Sequence, residues 1–571
     1  MAARTIRVTG EGIIWAGVAI TVLCIVVWPL AISIDTAFHA EGRFGLLPAH
    51  SLAALTAVYL GDEYLGLLAN SVRLAVWVTL LCSLAGVIIA VLMARTDLPG
   101  KSVLELLVVM PLFISPFTGL IAWVALGSAK TGFINTLAAE VFRATGIDMA
   151  PLVNIWTYGG TVWVMFLFFT PFVYLFTVGS LRTMDGTLEE AARVNGASPL
   201  HTILRVTLPL SMPSILIAAL TVFILTTETY TIPGIVGSVA GFDVLAYRIF
   251  EDATGSPLKL AHAAAASTML LLIAFLGMLL QRHITRSASR FVTVTGKGLR
   301  AEPMKLGKWK VPAVLAAWTY VTLTTLLPLA ALVLSSFMRY SSGDIFGQPL
   351  SWANYLQFIN GDDMRRALLN TILLAFGAAA ICVLAGAIIS FMDVRRPGLA
   401  TRAVAVLASV PVAVPGLVFG LGLLTIVLKS PFYGTVWVLL VAYVAKYVPF
   451  GVMMSRSGFQ QLHPDLENAA RMSGANSLQT LWHITLPLMR FTLLSALFCI
   501  VVLCFKELSA SVILYTKNSE VLSVLAWNYM GSGNYQFAAT LGVVQCLIIV
   551  VLMVAIRALF GIRLERTMGK S

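Results

Sequence analysis

Apolar runs recur along the chain, each closed by a short polar or basic segment. A helix needs roughly 20 such residues to cross the hydrocarbon core of a bilayer. The runs lie near 13–34, 71–94, 102–127, 155–180, 209–235 and 258–281. A second set lies near 311–337, 368–392, 403–428, 433–456, 488–514 and 537–560. The pattern predicts an all-α polytopic membrane protein of about 12 transmembrane helices, built as two six-helix halves. Arg4 and Arg7 ahead of the first run could mimic a signal peptide. That run is long enough to span, and no small-residue cleavage site clearly follows, so it reads as a retained first helix.

Composition agrees with this class. Of the 571 residues 59% are hydrophobic and 11% charged, where a soluble domain carries about a quarter charged. The net charge of +12 does not point to nucleic acid, because the basic residues sit in short loops between apolar runs. Those loops set the orientation. Residues 282–310 hold Arg282, Arg286, Arg290, Lys297, Arg300, Lys305, Lys308 and Lys310 against Glu302. The tail adds Arg557, Arg563, Arg566 and Lys570, whereas residues 35–66 hold Asp35, Glu41, Asp62 and Glu63 against Arg43. Both termini and the central linker are therefore expected on the cytoplasmic side. Cys24, Cys82, Cys382, Cys499, Cys504 and Cys546 all fall inside apolar runs, without metal or redox spacing.

The two sets of runs are related. "NSVRLAVWVTLLCSLAGVII" from Asn70 matches "NTILLAFGAAAICVLAGAII" from Asn370, 300 residues on, and brings Cys82, Gly86 and Pro111 opposite Cys382, Gly386 and Pro411. The chain thus divides into a first half (1–285), a basic linker (286–310) and a second half (311–571). With six runs per half, the copies cross the membrane in the same sense, and a solute path is expected at their interface.

A polar insert is repeated as well. Residues 189–210 read "EEAARVNGASPLHTILRVTLPL" and residues 467–488 read "ENAARMSGANSLQTLWHITLPL", within segments of about 185–209 and 463–487. In the first copy Leu188, Ala191, Ala192 and Val194 fall at helical spacing, Gly196 suits a turn, and a second short helix runs from Pro199. A helix–turn–helix with one apolar face, on the cytoplasmic side of both halves, is suited to a groove on a partner protein.

These inserts closely resemble the EAA loop of permeases from binding-protein-dependent ABC importers, whose pattern is E-A-A-x3-G-x9-I-x-L-P. The first copy supplies Glu190, Ala191, Ala192, Gly196, Leu208 and Pro209, with Val206 in the isoleucine place. The second supplies Ala469, Ala470, Gly474, Ile484, Leu486 and Pro487, but has Asn468 for the glutamate and Glu467 one step earlier. The resemblance implies the type I importer permease fold in a bacterial inner membrane. It also implies two ATP-binding subunits docked at the loops, a periplasmic solute-binding protein, and no nucleic-acid partner. Glu189, Glu190, Ala191, Ala192, Gly196, Glu467, Ala469, Ala470 and Gly474 are then the coupling residues.

This chain is expected to bind no cofactor itself, ATP and Mg being used by the partners. "RTDLPGKS" ends like a Walker loop in Gly100-Lys101-Ser102, but Arg95 stands where the first glycine must be. No catalytic constellation is visible, so the chain reads as a transport subunit and not an enzyme. An ion-coupled secondary transporter does not account for paired docking loops, and a sensor or scaffold would need a soluble signalling domain.

The fusion of two such units, with "FKELSASVILY" at 505–515 and "RFVTVTGKG" at 290–298, is most similar to the ferric-iron importer permeases. The resemblance implies ferric iron as the solute, with 2-aminoethylphosphonate, thiamine and polyamines as the alternatives among related systems. Intramembrane charges usually face a cavity or a partner. Glu228 with nearby Tyr230, and Glu507 with adjoining Lys506, sit in corresponding runs and are the candidate lining of the path. Their carboxylate and phenol oxygens suit a hard cation, although bracing of the helices is the competing role. Lys446 in "VAKYVPFG" is set aside as a lysine able to extend its charge to an interface.

Overall fold

The computed structural model describes residues 10–42, 45–143, 150–288, 303–340, 349–428, 430–463, 465–475 and 477–560. The segment 290–298, most of the basic linker and the basic tail beyond 560 lie outside these residues, as do Arg4 and Arg7. Among the described residues, nine helices are long and apolar enough to cross a bilayer, and four helix pairs match that length only across a bend.

Span 1 is Gly10–Thr36, span 2 Asp62–Arg95, span 4 Tyr158–Thr183, span 5 Pro199–Glu228 and span 6 Leu260–Ala288. In the second half, span 7 is Gly307–Ser336, span 8 Asp362–Arg395, span 10 Val436–Gln461 and span 12 Tyr535–Phe560. Three bent pairs complete the twelve. Span 3 joins Lys101–Phe113 to Pro116–Gly127 at 103°, span 9 joins Leu399–Val412 to Gly416–Val427 at 105°, and span 11 joins Leu481–Leu488 to Arg490–Phe505 at 69°.

The runs 102–127 and 403–428 are therefore bent where straight helices were expected. Proline explains both. Pro111 and Pro116, like Pro411 and Pro415, lack the N–H that continues a helix, and Pro116 and Pro415 also push their preceding residues toward extended geometry. Ser115 accordingly has ψ 136° and Val414 ψ 123°. The runs 209–235 and 488–514 also end early, at Glu228 and Phe505.

Packing fixes the sense of the spans. Cys82 donates its thiol to the Phe166 carbonyl at 3.5 Å, and four residues on, a Cβ at Gly86 would lie 2.7 Å from that of Val173. Spans 2 and 4 thus run in the same direction, so span 3 must return the chain between them. The second half repeats this: Cys382 donates to Val444 O at 3.6 Å, and Ser390 Oγ to Val452 O at 2.9 Å. Gly386 and Gly451 there bring the two backbones into direct contact, the close approach that small residues permit between membrane helices.

The fourth bent pair, Thr231–Ala240 with Leu245–Thr254, is a cap rather than a thirteenth crossing. Leu245 N donates to Ser71 Oγ at 2.9 Å and Asn70 Nδ2 to Asp243 O at 3.1 Å, while Arg248 pairs with Glu63. These contacts hold the cap against the first turns of span 2. Thr371 and Asn370 do the same for the second half, accepting from Leu522 N at 3.0 Å and donating to Glu520 O at 3.0 Å. The repeated Asn-Ser and Asn-Thr pairs therefore secure the chain where it leaves the membrane after each fifth span.

The halves are interlocked. Span 1 lies on the second arm of span 9, where a side chain at Gly422 would overlap the Pro29 carbonyl. Span 7 lies reciprocally on span 3, with Thr325 Oγ1 donating to Leu107 O at 2.9 Å. Each half contributes its first span to the other half's surface.

Candidate translocation cavity and docking loops

The first insert forms Thr187–Val194, a turn, and a short helix from Pro199 that leads into span 5. Gly196 closes the first helix at φ 82°. Its N–H donates to Arg193 O at 2.9 Å, and the next N–H, of Ala197, donates to Ala192 O at 3.0 Å. This paired closure needs a left-handed residue, which explains the glycine. Gly474 has φ 88° and Ala475 N donates to Ala470 O at 3.1 Å, so the second loop closes alike. Each loop then enters its span through a π-helical turn, Ile203–Thr207 or Leu481–Thr485, followed by Leu-Pro-Leu. A proline without N–H frees a carbonyl of the preceding turn and favours the wider winding.

The residues expected to couple divide into two faces. Glu189 and Glu467 are buried, 2% and 4% exposed. Each meets the arginine that ends the second span of its half: Arg95 Nε lies 3.0 Å from Glu189 Oε1, and Arg395 Nε donates to Glu467 Oε1 at 2.9 Å. Thr207 Oγ1 donates to Glu189 at 2.8 Å, and Arg395 Nη2 to the Leu462 carbonyl at 3.1 Å. Sequence reading passed over both arginines, because a basic residue at a helix end looks like an ordinary interface anchor.

The side chains of Glu190 and Asn468 take no hydrogen bond or ion pair from the described residues, and Ala191 and Ala469 are exposed. Leu188, Val194, Leu466 and Met472 leave apolar side chains uncovered at matching places, Val194 and Met472 almost wholly. At the motif's glutamate place the loops differ, with Glu190 against Asn468. The arginine–glutamate ion pair behind it occurs in both.

Between the halves lies a cavity of about 320 Å³. Glu228, Tyr230, Lys506 and Glu507 all line it, so all four path candidates meet at one place. Pro111 and Pro411 line it too, because the bends of spans 3 and 9 turn toward the interface. Tyr230 is a wall residue: its ring is buried against Phe250 and Trp527, and its hydroxyl is 3.5 Å from Leu508 O. Lys506 donates across the interface to Leu112 O at 2.7 Å.

Lys446, set aside at the outset, lines the cavity and donates to Glu507 Oε2 at 2.8 Å. Glu507 also accepts from the Tyr447 hydroxyl and, at 2.9 Å, from Ala510 N. The signal that could have found Lys446 is the repeat: "FFTPF" at 168–172 aligns with "KYVPF" at 446–450, placing Phe168 opposite Lys446. Each side has a glycine to receive it. A Cβ at Gly119 would overlap the Phe168 ring, and one at Gly416 would lie 2.6 Å from Lys446 Nζ.

The carboxylates of the two corresponding spans differ in their partners. Glu507 is neutralised by Lys446, whereas Glu228 faces the cavity with no hydrogen-bond or ion-pair partner among the described residues. Among those residues, no group of three or more His, Cys, Asp or Glu is gathered that could hold a metal ion. Of the two carboxylates that line the cavity, Glu507 is the one paired with Lys446.

The family described as "Binding-protein-dependent transport system inner membrane component" matches residues 83–290 and 382–570. The chain is 26% identical over 521 residues to the ferric transport system permease protein FbpB of Actinobacillus pleuropneumoniae, covering 88% of this chain and 72% of that protein. It is 25% identical over 513 residues to the putative ferric transport system permease protein FbpB 1 of Haemophilus influenzae, covering 87% and 77%. A putative 2-aminoethylphosphonate transport system permease protein, PhnV of Salmonella paratyphi A, is 28% identical over 243 residues, covering 42% of this chain and 88% of PhnV.

Proposed function

The chain belongs to the binding-protein-dependent transport system inner membrane components, and on that premise we propose that it carries ferric iron through the cavity between its halves. It is a multi-pass permease subunit of an ABC importer, a family that works with a solute-binding protein and ATP-hydrolysing subunits. In our reading, one ATP-binding subunit docks on each loop through the exposed apolar side chains, and the binding protein delivers solute at the opposite end. ATP and Mg stay with those partners. The loop end faces the cytoplasm, together with both termini.

The observation that carries the path is Glu228, a carboxylate open to the inter-half cavity and left without a partner. An ionisable group left unpaired at membrane depth usually marks a solute path, and a cation is the solute that suits a carboxyl. Ferric iron is favoured by the relatives that share both halves in one chain and are named for ferric transport. A second reading, 2-aminoethylphosphonate, draws support from Lys506 beside Glu507 in the same cavity, because its ammonium and phosphonate groups need both signs.

The deciding experiment loads the partner binding protein with labelled ferric iron or labelled 2-aminoethylphosphonate and follows uptake into vesicles holding the complete transporter. Uptake of iron, undisturbed by excess phosphonate, is expected. Uptake of the phosphonate alone would overturn the ferric reading.

A further inference from the structure

We infer that Glu189 and Glu467 are positioning residues that tie each docking loop to the second span of its own half, so that ATP-driven movement of the loop reaches the cavity wall through the Arg95–Glu189 and Arg395–Glu467 ion pairs. The inference rests on the docking role proposed for the loops.

Three observations carry it. First, both carboxylates point into the protein, away from the apolar side chains left open for a partner, and each has a guanidinium at 3.0 or 2.9 Å, that of Arg95 buried and that of Arg395 largely so. Two charges are withdrawn from water only at a cost, which a fixed pairing offsets. A loop merely resting on the membrane surface has no need of such a pairing. Second, the arginine ends a span whose other contacts lead to the cavity. Span 2 packs in parallel on span 4, which carries Phe168 and Phe172, and span 8 packs on span 10, which carries Lys446 and Tyr447. A push on the loop therefore has a continuous packed route to the lining, as coupling between distant sites requires. Third, the pair is repeated in both halves, although the neighbouring open position differs as Glu190 and Asn468.

The mechanical consequence is specific. An ATP-binding subunit grips the open face of the loop, and the buried face passes the displacement on. Loss of the ion pair should leave the grip intact and break the transmission.

The test uses the whole transporter in proteoliposomes, with its ATP-binding subunits and loaded binding protein, and reads solute taken up per ATP hydrolysed. Glu189→Gln combined with Glu467→Gln keeps side-chain shape and removes the charge. We expect the ATP-binding subunits to co-purify as before and solute per ATP to fall about tenfold, within the range of coupling between linked sites. The exchange of Arg95→Glu with Glu189→Arg should recover a large part of the loss in a background where Arg395 and Glu467 are native. An unchanged ratio overturns the inference. So does loss of the ATP-binding subunits from the purified complex, which would place the glutamates on the gripping face. Failure of both the glutamine and the exchange variants to insert would make the pairs folding elements only, again overturning it. Absence of ATP-dependent uptake by the native transporter would instead defeat the underlying docking role.

Discussion

Replacing Lys446 with methionine strips Glu507 of its counter-charge while keeping an unbranched side chain of similar length. At the observed 2.8 Å separation, two unit charges attract by about 6 kcal/mol at an effective dielectric near 20. That attraction is lost in the variant, although Tyr447 and Ala510 N still donate to the carboxylate and soften the loss. Removing one partner of a buried pair typically costs ~3–5 kcal/mol, and the lower end, about 3 kcal/mol, is expected here. Lys446→Met together with Glu507→Gln removes both charges, leaves Ala510 N its acceptor while the Tyr447 hydroxyl keeps the Leu503 carbonyl and can accept from the new amide, and should recover to within about 1 kcal/mol of the native protein. Thermal unfolding of the purified permease in detergent reads this directly: the single variant melts several degrees lower, and the double variant returns close to native. A single variant as stable as the native chain would refute the claim that Lys446 neutralises Glu507, and so would a double variant as unstable as the single one.

Three further outcomes follow from the same geometry. Glu228→Gln should lower uptake by on the order of tenfold without releasing the ATP-binding subunits, since it removes the free carboxylate of the cavity; full uptake would take Glu228 out of the path. Gly386→Val forces a side chain into the Gly451 backbone and should cost about 3 kcal/mol or more in melting experiments, whereas Gly17→Ala, with open space around it, should be neutral. Asp97 accepts from Leu306 N at 2.9 Å, and this bond, with Lys310 close by, holds its carboxyl below the usual range. The folded-state pKa lies under the unfolded one, so the contact contributes fully above about pH 4 and is lost as pH falls through the lowered value. Hydrogen exchange at the Leu306 amide should therefore show constant protection between neutral and mildly acidic pH, reduced in Asp97→Ala; equal protection in the variant would contradict the contact.

The spans and the duplication were legible because length and hydropathy act along the chain itself. Asn70 and Asn370, or Gly196 and Gly474, could be matched by eye, and each pair has the same structural task in its half. What sequence could not display was direction. Glu189 and Glu190 are adjacent and chemically identical, yet one turns in to Arg95 and the other out. That choice is made by the helix's rotation against span 2, a tertiary fact. Bends at Pro111–Pro116 and Pro411–Pro415 were written in the sequence, but a proline inside a membrane helix is often tolerated, so their sharpness was not. Lys446 was misjudged for a related reason. A lysine in an apolar run commonly reaches an interface, and only the position of Glu507 across the helix pair shows that this one is held at depth.

The central claim is that ATP hydrolysed by partner subunits on the two loops drives solute through the inter-half cavity. Its most direct test is initial uptake by proteoliposomes containing this chain, its ATP-binding subunits and loaded binding protein, measured with ATP alone and with an ion gradient alone. Uptake that requires ATP and both partners is predicted; uptake sustained by the gradient without ATP would contradict the account.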